Sequence, residues 1–131
     1  MDVMRQADDD PRDQGHSLAR MMARIPGQHA VIVDTPWQIY DPPACLSSNL
    51  DNVWRCATPR DQAFNWRYLK LERVAAADSG ATLINLSDDI CPVDPCPAVL
   101  HGMITYRDVH HLTETFALSL ADELERQLPS F

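Results

Sequence analysis

Nothing in this chain is long and apolar enough to read as a membrane span. The aliphatic run Ala30-Val31-Ile32-Val33 is four residues long, against the ~20 that a spanning helix needs. The opening stretch, Met1-Asp2-Val3-Met4-Arg5-Gln6-Ala7, holds no apolar core of the kind a secretory signal carries. Positive charge is scarce as well. Eleven Lys and Arg face 19 Asp and Glu, leaving a net charge of −8 and a pI near 4.8. Such a surface repels phosphate backbones and anionic lipids, so no nucleic-acid partner is expected. Internal repeats are absent too. What is present is 131 residues, 45% of them hydrophobic. That composition suits one globular domain at most, able to bury roughly two-thirds of its unfolded surface.

The four cysteines come as two close pairs. Cys45 and Cys56 bracket a Ser/Asn/Asp-rich loop, and Cys91 and Cys96 bracket a proline-rich one. An even count at short spacing implies disulfides Cys45–Cys56 and Cys91–Cys96 in an oxidising compartment. Cys91-x4-Cys96 with His101, His110 and His111 also admits a zinc reading, because structural zinc sites accept similar spacings. Pro92, Pro95 and Pro97 stiffen that loop and favour the disulfide, so neither a metal nor a cofactor is expected. No cationic pocket is legible around any cysteine, which argues against a thiolate nucleophile. The missing signal and the paired cysteines are compatible if a membrane region upstream of Met1 exports the domain. An extracytoplasmic location, as part of a membrane protein, is the expectation.

Residues 1–14, with Asp8-Asp9-Asp10-Pro11, read as a polar, disordered tail, and residues 15–131 as the domain. Leu18, Met21, Met22 and Ile25 recur at helical spacing before Pro26-Gly27. Ala30–Val33 reads as a parallel strand covered on both faces, left by Asp34-Thr35-Pro36. Residues 36–60 are proline-rich and predict a long ordered loop. A helix is expected over Asp61–Ser79, with Phe64, Tyr68, Leu71, Val74 and Ala75 on one face and Gly80 closing it. Thr82–Leu86 reads as the next strand and Met103–Thr105 as a short extended segment. A last helix spans Thr113–Leu128, with Thr113 as N-cap and Phe116, Leu120, Leu124 and Leu128 as its apolar stripe. Helix and strand alternate as in crossover units of a parallel sheet. Two strands cannot cover themselves, so the chain reads as the second half of an α/β domain.

The chemistry concentrates in Tyr106-Arg107-Asp108-Val109-His110-His111-Leu112-Thr113, just ahead of the last helix. Asp108 stands three residues before His111 on one short loop. A carboxylate that holds one ring nitrogen of an imidazole leaves the other free to act as a base. The bland reading is a structural pair at a helix entrance. His110 is the competitor for the base role, with a surface histidine as its bland reading, and Arg107 is expected to pair with a nearby carboxylate. Asp34, just after a strand, reads as a ligand-facing or amide-capping carboxylate. Trp37, Tyr40, Trp54 and Trp66 read as packing residues, or as the lining of an acyl or sugar groove.

Taken with Val33-Asp34-Thr35-Pro36, Pro43-Ala44-Cys45-Leu46, Cys56, Cys91 to Cys96-Pro97 and Gly102, this motif resembles the SGNH domain fused to the membrane acyltransferases of acyltransferase family 3. The resemblance runs from about Ala30 to Leu128. It implies a three-layer α/β/α, flavodoxin-like SGNH-hydrolase fold, of which this would be the C-terminal half. By position in the motif it implies His111 as catalytic base and Asp108 as its acid. It also implies an acyl donor and a cell-surface glycan acceptor as substrates. The missing N-terminal half, or a membrane acyltransferase region, would be the protein partner. The family's nucleophile sits in a Gly-Asp-Ser block, and none of Ser17, Ser47, Ser48, Ser79, Ser87, Ser119 and Ser130 follows a Gly-Asp pair. Two functions are therefore expected to compete: part of a surface-glycan O-acyltransferase or serine esterase, or a non-catalytic, disulfide-stapled binding domain.

Overall fold

A computed structural model describes residues 10–130. In chain order the helices are α1 (Pro11–Met22), α2 (Pro42–Ser47), α3 (Arg60–Ala63), α4 (Trp66–Ser79), α5 (Ser87–Ile90), α6 (Glu114–Ser119) and α7 (Ala121–Gln127). The strands are β1 (Ala30–Ile32), β2 (Thr82–Ile84), β3 (Val99–Leu100) and β4 (Met103–Ile104), and Val53–Cys56 forms a 3-10 turn. The chain folds as two compact units. One holds residues 10–34, 66–84 and 128–130, the other residues 35–65 and 85–127.

In the first unit, α1 begins at Pro11, ahead of residue 15, where the domain was expected to begin. Asp10 makes this possible: its carboxylate accepts the Arg12 N–H at 2.9 Å, and Pro11 at N1 has no N–H to satisfy. Residues 10–14 are thus cap and helix rather than tail, while the rest of the expected tail lies outside the described residues. Gly15 sits where α1 meets α4. A Cβ there would lie 2.7 Å from both the Leu71 carbonyl and Val74, so the close approach needs glycine. β1 and β2 pair in parallel with Val31 opposite Leu83, and Val33 N–H donates to Ile84 O at 2.8 Å beyond them. Met22, Val31 and Ala76 form the core of this unit, with Leu18, Ala81 and Leu83 against it. Burial along β1 alternates exposed, buried, exposed, so the expectation of a strand covered on both faces is not met. The arrangement is α/β with a small parallel sheet.

The second unit is held by short pieces. Residues 36–60 are not wholly loop: Asp41 caps α2, and Pro42 and Pro43 occupy its first positions. Cys45 is bonded to Cys56, and Cys91 to Cys96. The two cystine loops are laced together where Thr58 and Cys96 exchange backbone hydrogen bonds of 2.9 and 2.6 Å. The helix expected over Asp61–Ser79 is broken, because Phe64 turns extended and packs on Ala63, Cys91 and Cys96. The Arg60 guanidinium lies 4.5 Å over the Phe64 ring. β3 and β4 form a hairpin turned by His101 and Gly102, both at positive φ (52° and 75°). That two-residue turn matches strand twist, and β3 was not expected. The last helix divides at Leu120, whose N–H bonds back to Ala117 O and whose side chain joins Ile90, Tyr106 and Phe116 in the main core. The tryptophans expected to pack, Trp37, Trp54 and Trp66, are exposed, as is Tyr40; Tyr106 and Phe116 are the buried aromatics instead.

Candidate active site

Asp108 and His111 meet on a loop whose base is closed by core residues. Tyr106 and Leu112 bridge across it in antiparallel fashion, and Arg107 N–H donates to His111 O at 2.9 Å. Beneath them, Thr113 N–H donates to Thr105 O at 3.0 Å, and the buried Thr105 hydroxyl donates to Ala98 O at 3.0 Å. The Thr113 hydroxyl donates to Ile104 O at 2.6 Å and caps α6 by accepting from Phe116 N–H. One side chain therefore starts the helix and ties down the strand before the loop. Tyr106 is wholly buried, and its hydroxyl donates to the Pro36 carbonyl.

The tip is shaped by one carboxylate. Asp108 Oδ1 accepts the N–H groups of His110 (2.9 Å) and His111 (2.7 Å), while Oδ2 lies 2.8 Å from His111 Nδ1. A carboxylate that accepts backbone donors two and three residues on is an Asx-type turn. The His110 amide, reinforced by the His111 ring and amide, holds the Asp108 carboxyl well below the usual carboxylate range. An ionised Asp108 has no proton to give, so whenever the ring is neutral Nδ1 carries the shared hydrogen and Nε2 is bare. That is the arrangement a general base requires.

A second segment steadies the loop from the side. Gln38 N–H donates to Val109 O at 2.7 Å. The Gln38 side chain is buried and accepts from the Thr58 hydroxyl at 2.9 Å, which itself accepts Ile39 N–H. Trp37 brings its ring to 5.3 Å from His110, and the His110 and His111 rings stand 4.1 Å apart. His110 Nδ1 is 3.8 Å from Asp108 Oδ1, too far for a hydrogen bond.

Of the other candidates, Asp34 belongs to the first unit, where its N–H donates to Glu72 at 3.0 Å. Partial burial raises the Glu72 carboxyl above its ordinary range. Arg107 makes no ion pair among the described residues, contrary to expectation; its part in the loop is its backbone N–H. Every described cysteine is in a disulfide, so the zinc reading of Cys91 and Cys96 has no thiolates to use. Sequence reasoning missed Gln38, Thr58 and Thr105. A buried threonine carries no sequence signal until its partner is known, and for Thr58 that partner, Gln38, is twenty residues away.

Comparison with known proteins adds one finding to this geometry. The family described as the SGNH domain fused to AT3 domains matches residues 2–126 of the chain. That span starts well before Ala30, where the resemblance in the motifs begins, and takes in all of α1. No match was found among curated proteins or among solved structures.

Proposed function

Because the chain belongs to the family of SGNH domains fused to AT3 domains, we propose that it carries the base-and-acid half of a serine acyl-transfer site. The observation that carries this reading is the 2.8 Å contact between Asp108 Oδ2 and His111 Nδ1. In the proposed reaction a serine hydroxyl attacks an acyl carbonyl and its proton passes to His111 Nε2. The imidazolium, held by the Asp108 carboxylate, returns that proton to the leaving group. An acceptor sugar hydroxyl, or water, then gives its proton to Nε2 and attacks the acyl-serine; the imidazolium returns that proton to the departing serine oxygen as the ester or acid is released. Asp108 stays ionised throughout. These 131 residues contain no Gly-Asp-Ser, so the serine in this proposal comes from outside them.

The same reading includes a three-layer α/β/α arrangement, completed by strands beyond β1 and β2. It places the domain on the extracytoplasmic side, beside an AT3 acyltransferase region that delivers acyl groups to cell-surface glycan. The two disulfides support that side of the membrane. The missing Gly-Asp-Ser favours the alternative of a disulfide-stapled binding domain without chemistry.

Nitrogen-15 NMR of the histidine rings tests the base role directly. His111 is expected as the Nδ1–H tautomer, with that preference lost in Asp108→Asn. A His111 ring protonated on Nε2 in the unsubstituted chain would end the proposal. A fluorophosphonate probe covers the nucleophile: no serine should be labelled stoichiometrically. Labelling abolished by His111→Ala would mean that one of the chain's own serines has the role.

A further inference from the structure

His110 has no part in the base-and-acid pair, yet its backbone is fixed by the same carboxylate and its ring has neighbours on both sides. Its ring stands between Trp37 and His111, at 5.3 and 4.1 Å, and its Nδ1 turns toward the same carboxylate. One donor atom each from Asp108, His110 and His111 lies within 4.8 Å of the others. All three residues are open enough to solvent for an ion to enter.

Two imidazoles and one carboxylate form a donor set for zinc-class divalent ions; calcium and magnesium favour oxygen throughout. Metal–nitrogen and metal–oxygen bonds of about 2.0–2.2 Å bring tetrahedral ligands to about 3–4 Å from one another. His110 Nδ1 already lies inside that range, 3.8 Å from the carboxylate, and the Asp108–His111 pair, at 2.8 Å, has only to open slightly to admit the ion. Little backbone ordering is left to do. Asp108 Oδ1 already fixes the two histidine amides, and Gln38 N–H fixes the carbonyl of Val109, just ahead of them.

We infer that Asp108, His110 and His111 form a binding site for one zinc-class divalent ion, with a fourth position open to water. Binding uses the Nδ1 lone pair of His111, so the proton on that nitrogen must leave. A neutral ring keeps one proton, and it then resides on Nε2. The atom that would accept the serine proton is thereby blocked. Metal occupancy and base action exclude one another, a consequence that rests on the reading of His111 as base, whereas the binding itself does not.

The test uses the full oxidised chain, freed of metal, titrated with zinc chloride by calorimetry. Cobalt(II) absorption serves as a second probe, and ring nitrogen-15 NMR follows the tautomers. One equivalent of zinc should bind, with the His111 proton moving from Nδ1 to Nε2. His110→Ala, which leaves the Asp108–His111 contact in place, should weaken binding by about ten-fold or more. His16→Ala, which breaks the separate His16–Asp78 pair, should not weaken it. Failure to saturate by about 1 mM zinc, or affinity undiminished in His110→Ala, would overturn the inference. Zinc binding at this loop by a chain whose metal-free His111 is the Nε2–H tautomer would support the site while ending the catalytic proposal.

Discussion

Replacing Tyr106 by Phe removes a single oxygen from the point where the core meets the Asp108–His111 loop. The ring is wholly buried against Ile90, Phe116 and Leu120, and phenylalanine keeps nearly all of that packing. The hydroxyl's bond to the Pro36 carbonyl is lost. A hydrogen bond contributes about 1 kcal/mol net, and an acceptor left buried without its donor costs about 1–3 kcal/mol. Pro36 is itself fully buried, so water cannot easily replace the hydroxyl. A loss of about 1–3 kcal/mol is expected, against about 3–5 kcal/mol for Tyr106→Ala, which also empties the ring's volume. With a urea slope of about 1–3 kcal/mol/M, the midpoint should fall by roughly 1 M. The effect should also reach the site, because Pro36 leads directly into Trp37 and Gln38, and Gln38 N–H holds Val109 O at 2.7 Å. Faster amide exchange at Gln38 is therefore expected beside the shifted midpoint. An unchanged midpoint with unchanged exchange would refute the claim that this hydroxyl anchors the loop to the core.

Two further outcomes are expected. Gly15→Ala should destabilise the first unit by about 1–2 kcal/mol: overpacking a well-fitted contact costs about 1–3 kcal/mol, while helix propensity returns up to about 1 kcal/mol. One clashing atom, 2.7 Å from the new Cβ, is the Leu71 backbone carbonyl, which has no rotamer to escape into; a raised unfolding midpoint would show the reasoning to be wrong. For Asp108, a folded-state pKa below its ordinary 3.8 means that its contribution is present above that value. The contribution is lost as pH falls through the lowered folded value. Carbon-13 NMR should find the carboxyl still ionised at pH 3.8, with the His110 and His111 amides still protected, and a titration at or above the ordinary value would contradict the loop geometry.

Much of the site is legible in the sequence because its geometry is local. Asp108 reaches His111 and two amides within a four-residue span, and Thr113 caps its helix three residues on. Short-range contacts of this kind need only the backbone turn that the residues themselves favour. The cystine pairs are legible for the same reason, since each closes a short loop. Other features depended on partners far along the chain. Phe64 leaves the helical pattern because a cystine more than twenty residues away offers it burial. Leu120 interrupts the last helix where it enters the core with Ile90 and Tyr106. Gly15 is required by Leu71 and Val74, which approach only once α1 and α4 pack. Gln38 and Thr58 look like surface residues until each is found satisfying the other in the interior. Periodicity and capping report what a segment prefers on its own. The packing of distant segments decided where those preferences yielded, and it set His110 and Trp37 beside the pair that the motif had marked.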